Sequence, residues 1–504
     1  MADFNTKFTG RIDRRSPPSE GKLTDPIMRE NWLARDGTLR KPRGTEKVFT
    51  SAMTDISRWT ARYYSDDLAN IKPKTLVYTK DGKMWRVEEK TKSRTLRQES
   101  FNPNAYPNSQ LFKLSDQVIL YFVDGQFLYK HDGNDDDMFQ KVALLDNTGS
   151  SVLPIDVIEH KDRLMVISKR ALFVSKNLAP DIFNDPNDSI ELVVGSGRGE
   201  NLAVGKLEDK LYILNTEGIF VLSGDVISAL AATFEVRLIE DRNIISGRTA
   251  IRVEKAILFI AEDLELWSFD GISSQMLSFD FKLKDFMESV RDKLDKAVAI
   301  YQNNYYQLSF VEKGETEPNL EIWWDAFEDK IDVVRGRNVS CYLDIDQSKE
   351  TEFLQFGRSD VNFIMWADRG YNFDGTAIRI RLLTRDIVVK KGENVRFTAF
   401  YPEIKPTGNR NIIIAYLLDG RLSSPVLGVE FSQNLRGETK TVGMIEVGNQ
   451  RQFTGRALPQ IKYARGESIA FWINDATVDL RADFIGMGID FSRKHKSKGI
   501  AIGV

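Results

Sequence analysis

Cysteine and histidine are nearly missing from this sequence. One cysteine, Cys341, in 504 residues excludes an intramolecular disulfide framework and a cysteine-based zinc cluster. Three histidines, His131, His160 and His495, are too few for a multi-histidine metal site. No apolar run approaches the ~18 residues that would cross a bilayer. The first residues, MADFNTKFTGRIDRRS, lack the apolar centre of a secretory signal. These absences predict a soluble chain, made in a cytoplasm and without a membrane span. Strong charge of one sign is missing too: a formal net charge of −3 excludes a general polyanion binder. What is present suffices for real cores, since 42% of the residues are hydrophobic and 11% aromatic. The length suggests two to four domains of roughly 100–200 residues each.

The clearest local pattern runs from Lys206 to Asp225. Leu211 and Ile213, then Ile219 and Val221, alternate with polar or outward neighbours around Thr216-Glu217-Gly218, the signature of a tight β-hairpin. A lone hairpin cannot bury its apolar face, and related hairpins recur. They read KTLVYTKDGKMWRVEE, DQVILYFVDGQFLYKHDG, DRLMVISKRALFVSK, EDKLYILNTEGIFVLSGD and VEKAILFIAEDLELWSFDG. A broader copy starts at Asn303 and a weaker one at Ser359. With Leu76, Ile119, Leu164, Leu211 and Ile257 as equivalent positions, the steps are 43, 45, 47 and 46 residues. Strand repeats of about 40–50 residues are the mark of propeller blades. The fold class expected is therefore all-β: a β-propeller of six or seven blades over residues 51–375.

Residues 1–50 are polar, carry Pro17, Pro18, Pro26 and Pro42, and read as an extended arm with Trp32, Leu33 and Leu39 as apolar anchors for a neighbouring surface. Within the propeller, Leu283, Phe286, Met287, Val290, Leu294 and Val298 recur at helical spacing and predict a helix near 283–298. That helix either packs on the propeller rim or offers Phe286 and Val290 to a partner subunit. From residue 376 to 504 the alternating strands IRIRLL, VRFTAFY, NIIIAYLL, IKYARGESIAFWI and DFIGMGIDF lack the hairpin period and suggest a separate antiparallel β-sandwich. A basic run, Ser492 to Lys498, follows.

Motifs for chemistry are weak. Gly195-Ser196-Gly197-Arg198-Gly199 has no Lys-Ser or Lys-Thr after it and no following helix, so an inter-blade loop is the better reading than a phosphate cradle. Asp132, Asn134 and Asp136 imitate the start of a calcium loop, but Asp137 replaces the turning glycine and Ala143 the distal glutamate. Asp135, Asp136 and Asp137 then form a solvated acidic loop that would repel a polyanion. No histidine sits in a nucleophile-elbow context. Trp323, Trp324 and Trp366 could stack on sugars, although blade-core aromatics are the commoner explanation. No catalytic, cofactor-binding or metal-ligating residue is assigned, and no enzyme is expected.

The stretch NWLARDGTLRKPRGTEKV, followed by the hairpins and by YQNNYYQLSF and NLEIWWDAFEDKIDVVRG, resembles the β-propeller tail nozzle or tail hub virion proteins of short-tailed bacteriophages. LQFGRSDVNFIMWADRGYNFDG with IRIRLLTRDI resembles the passage from propeller to end domain in the same group. The resemblance implies a structural virion protein in a homo-oligomeric, six-fold ring below the portal. Its partners would be the tail adaptor and other tail or fibre proteins. Genomic DNA would pass through the lumen without sequence-specific binding. A neck or stopper ring, or a receptor- or glycan-binding propeller at the tail tip, is the alternative; a propeller hydrolase or lyase would need paired axial carboxylates. Candidate gate loops, by length and Gly/Asp content, are residues 129–150 and 180–200.

Overall fold

The computed structural model describes the chain except residues 1, 7–10, 13–21, 23–25, 36–37, 64–73, 115–116, 133–137, 225–226, 229–230, 345–353, 389–394, 405–409, 420, 423–428, 434–452, 455–464, 476–482 and 494–504. It divides into two compact units, one of Thr45–Phe327 with Gly336–Asp368, the other of Met1–Gly44, Glu328–Arg335 and Arg369–Val504.

The first unit is a seven-bladed β-propeller. Four-stranded antiparallel sheets form blade 1 (Ser57–Tyr63 to Ser93–Gln98), blade 2 (Asn108–Leu114 to Gln140–Val142), blade 3 (Pro154–His160 to Ile190–Val193), blade 4 (Asn201–Leu207 to Glu235–Glu240) and blade 5 (Ile251–Val253 to Ser274–Met276). Blade 6 contributes Val298–Gln302, Tyr305–Phe310 and Leu320–Asp325. Blade 7 is built from Val339–Asp344, Gln355–Arg358 and Ile364–Trp366, and its outer strand is Glu46–Lys47 from near the amino terminus, paired as Met365↔Lys47 and Trp366↔Glu46. Each blade's first strand packs against the next, and the seventh returns to the first through the parallel pairs Leu343↔Thr60 and Asp344↔Ala61. The ring therefore closes with strands from both ends of the unit, which removes the free sheet edges that two half-blades would leave.

The five positions taken as equivalent in the sequence, Leu76, Ile119, Leu164, Leu211 and Ile257, all lie on second strands. The hairpin of Lys210–Asn215 and Gly218–Ser223 is the middle of blade 4, turned by Thr216 and Glu217. Its period of two does not separate buried from outward residues, because nearly every residue in it is buried. Instead, alternate side chains pack on alternate neighbours. Leu211, Ile213, Phe220 and Leu222 join Met165, Ile167 and Leu172 of blade 3. Tyr212, Leu214, Ile219 and Val221 join Ile257, Phe259 and Phe269 of blade 5. Blades thus bury both faces, and the core of the ring lies in the seams between them. At ~25 cal/mol per Å2 of apolar surface, these seams are the main stabilising term.

The second unit holds two largely antiparallel sheets. One orders Leu33–Arg35, Thr38–Arg40, Asp483–Arg493 and Val395–Ile404; the other orders Lys330–Arg335, Met28–Glu30, Ile380–Leu383, Ser468–Asp475 and Arg410–Leu418. Met28–Glu30, Leu33–Arg35 and Thr38–Arg40 are strands of these sheets and not a free arm. Trp32 and Leu39 are 2% and 0% exposed, and Leu33 is half-buried. These anchors are consumed by this chain because Glu30 finds strand partners on both sides, parallel with Val333 and antiparallel with Arg381. Residues 328–335 group with this unit.

Candidate functional site

One polar cluster of the propeller joins residues from blades on opposite sides of its axis. Arg58 comes from the first strand of blade 1, and Tyr106 lies two residues before blade 2. Arg248 is carried by the single 3-10 turn Gly247–Thr249 that leads into blade 5. Both guanidinium groups lie over the Tyr106 ring, with Arg58 Cζ at 4.7 Å and Arg248 Cζ at 4.4 Å from its centroid. The Arg248 guanidinium also donates to the backbone carbonyls of Arg58 and Ser340, each at 3.3 Å, and of Lys296 at 3.5 Å. A side chain of blade 5 that reaches blades 1, 2, 6 and 7 has to cross the axis, since only blades 4 and 6 are its neighbours in the ring.

Local geometry fixes this crossing. The 3-10 turn presses on blade 4 so closely that a Cβ on Gly247 would stand 1.9 Å from the Leu202 carbonyl oxygen, so any side chain would force the turn to shift. Thr249 Oγ1 donates to the Ser246 carbonyl at 2.7 Å, and the Tyr306 hydroxyl donates to the Thr249 carbonyl at 2.8 Å. Glu317 receives both terminal nitrogens of Arg58, at 2.9 and 3.0 Å, and Lys80 at 3.2 Å. Burial works to raise the Glu317 carboxyl, but Arg58, Lys296 and Lys80 outweigh it and hold it below the usual carboxylate range. Burial pushes the Tyr106 phenol up to about 12 and pulls Arg248 down to about 10. The shared hydrogen bonds of Arg58, Arg248 and Glu317 hold strands of different blades together.

Two other polar sites lie in the propeller. Between blades 6 and 7, Arg337 donates to Gln307 at 3.1 Å and to Glu321 at 3.2 Å, with its guanidinium over Trp323 and Phe356. Burial raises the Glu321 carboxyl against the opposing pull of Arg337. An open cleft of about 430 Å3 is lined by Asp241, Arg242, Asn243, Glu262, Asp263, Lys284 and Arg291. Its charges are mutually engaged: Asn243 donates to Glu262, and Arg242 lies over the Trp267 ring whose indole N–H meets Asp263. Among the described residues, no group of three His, Cys, Asp or Glu side chains is arranged to hold a metal ion.

The residues singled out in the sequence are scattered. Asp135, Asp136 and Asp137 lie outside the described residues, as does the basic run beyond Arg493. The helix expected over 283–298 is one α-turn, Lys284–Met287, followed by 3-10 structure to Lys296, with Val290 at φ −131° breaking the α-helical path. Its apolar spacing was read correctly, but Val290 is 1% exposed and faces the propeller's own core, and Phe286 stacks on Phe281 at 5.3 Å. Val290 is therefore withdrawn from any partner surface. Both candidate gate segments contain outer strands, Gln140–Val142 in blade 2 and Ile190–Val193 in blade 3. The Gly195–Gly199 loop joins blades 3 and 4 and is occupied by the chain's own anion: Ser196 donates its N–H and its hydroxyl to Glu217. His131 and His160 are buried, and Trp323 is buried with its N–H on Glu321. Tyr106 and Arg248 were missed, because isolated residues outside the hairpins carry no periodic signal.

No protein-family model matches the sequence, and no curated protein matches it. Among solved structures, the β-propeller domain of Myceliophteria thermophila Cps50 (Swd1) aligns at a TM-score of 0.41 and 10% identity, covering 64% of this chain and 99% of that one.

Proposed function

We propose that this chain is a structural subunit of a short-tailed bacteriophage virion, one of about six in a closed ring around the DNA exit channel. The observation that carries the reading joins its two motif stretches. NWLARDGTLRKPRG and the end of NLEIWWDAFEDKIDVVRG are some 300 residues apart, yet they form one laced element. Ala34 N–H donates to Asp332 at 3.2 Å, and Arg335 N–H donates to the Asn31 side chain at 2.8 Å. The paired, ionised state of the axial Glu317 also fits a structural role better than a hydrolytic one. In such a ring the mild net negative charge keeps DNA moving, because each phosphate neutralised would add salt-dependent affinity. The tail adaptor and other tail or fibre proteins are the partners, and no catalysis is involved.

The test is to raise an antibody to the purified chain and locate it on intact virions by immunogold electron microscopy. Label confined to the tail, at a fixed copy number, supports the proposal; virions without label, or label on capsid faces, overturns it.

A further inference from the structure

The propeller carries a feature whose role does not depend on what the protein assembles with. In a ring of seven blades, contacts between first-strand neighbours suffice for closure, and a residue that reaches across the axis adds bonds between blades that never touch. Arg248 does so. Its guanidinium meets carbonyls of blade 1, blade 7 and the approach to blade 6, and stacks on Tyr106 at the approach to blade 2. Arg58 also lies over the same ring and is itself pinned by Glu317 from the 310–320 connection of blade 6.

We infer that Arg58, Tyr106 and Arg248 form an axial bolt that obstructs the propeller's own axis and locks blades 1, 2, 5, 6 and 7 to one another. Guanidinium suits this task over ammonium, since its planar fork serves several carbonyls at once and stacks on the phenol ring. Lysine at 248 could satisfy one carbonyl but would lose the stack. Tyr106 needs its ring and not its hydroxyl. Glycine at 247 is the accompanying requirement, since only a residue without Cβ lets the turn reach the axis past Leu202. A consequence for the proposed ring is that DNA does not run through any one propeller; its channel lies outside the propeller axes.

The chain contains its own reporter. Cys341, the sole cysteine, is 2% exposed on the first strand of blade 7, next to Ser340, whose carbonyl Arg248 holds. Burial raises its thiol, while the nearby Arg248 charge works in the other direction. Labelling of Cys341 by a small maleimide, followed by mass spectrometry at low denaturant, measures how often the inner strands open. The expected result is labelling about tenfold faster or more in Arg248→Met and in Tyr106→Ala, with Tyr106→Phe at the wild-type rate and Arg248→Lys between them. Trp267→Ala, which removes the Arg242 stack far from the axis, controls for general loosening. Should Arg248→Met fail to fold, the pair Tyr106→Ala and Tyr106→Phe decides alone. Labelling of Tyr106→Ala no faster than that of Trp267→Ala, or equal acceleration in Tyr106→Phe, would overturn the bolt.

Discussion

Arg29 and Asp332 are 303 positions apart in sequence and meet in the second unit with side chains 0% and 1% exposed, the Arg29 Nε donating to Asp332 Oδ1 at 2.6 Å. The other carboxylate oxygen of Asp332 accepts the Ala34 N–H at 3.2 Å. One carboxylate thus fastens both the strand Met28–Glu30 and the next, Leu33–Arg35, to Lys330–Arg335.

Asp332→Ala is predicted to be among the most damaging single changes in this unit. It leaves a guanidinium buried without its carboxylate, which costs about 3–5 kcal/mol. Replacing both partners, Arg29→Met with Asp332→Leu, removes the stranded charge and should recover a large part of that loss. Urea unfolding followed by tryptophan fluorescence reads both. A double variant as unstable as Asp332→Ala would show that the backbone bond from Ala34, and not the ion pair, dominates.

Gly247→Ala tests the crowding of the axial turn. The added methyl meets a backbone oxygen at 1.9 Å, so the turn must shift, at a cost of about 1–3 kcal/mol. Gly314→Ala is the contrast: its φ of +94° is strained for alanine, but nothing lies within 4 Å, and the cost is about 1–2 kcal/mol from backbone strain alone. Thermal unfolding should show a loss for both, and only Gly247→Ala should also speed Cys341 labelling.

His160 gives the propeller a pH dependence of known sign. Burial, with Lys206 and Lys161 assisting, pulls its imidazole from 6.5 down to about 4. The folded state therefore binds the proton less well than the unfolded state does. The contribution is fully present above about 6.5 and is lost as pH falls toward 4. Urea midpoints from pH 4 to 8 should drop over that window in the wild type, and His160→Gln should flatten this part of the profile. An unchanged slope in the variant would assign the acid sensitivity to other groups.

Legibility in the sequence followed burial. The middle hairpins of the blades were readable because strands packed between two neighbours are rich in Val, Ile, Leu, Phe and Tyr, and recur at a nearly constant step. Outer strands such as Gln140–Val142 and Ile190–Val193 are short and half-solvated, so they passed for loops. The closing strand is two charged residues, Glu46 and Lys47, and carries no pattern at all. Trp32 and Leu39, expected as anchors for a neighbouring surface, are covered by this chain itself, because composition cannot say whether a chain or its neighbour supplies the cover. The axial cluster was invisible for a related reason: Arg58, Tyr106 and Arg248 are brought together only by ring closure.

The most direct measurement of the assembly is the mass of the purified chain by native mass spectrometry, alone and then with the tail adaptor of the same virion. The account predicts a closed ring of about six copies, or a monomer that becomes such a ring on the adaptor. A chain that stays monomeric and indifferent to that partner would contradict it.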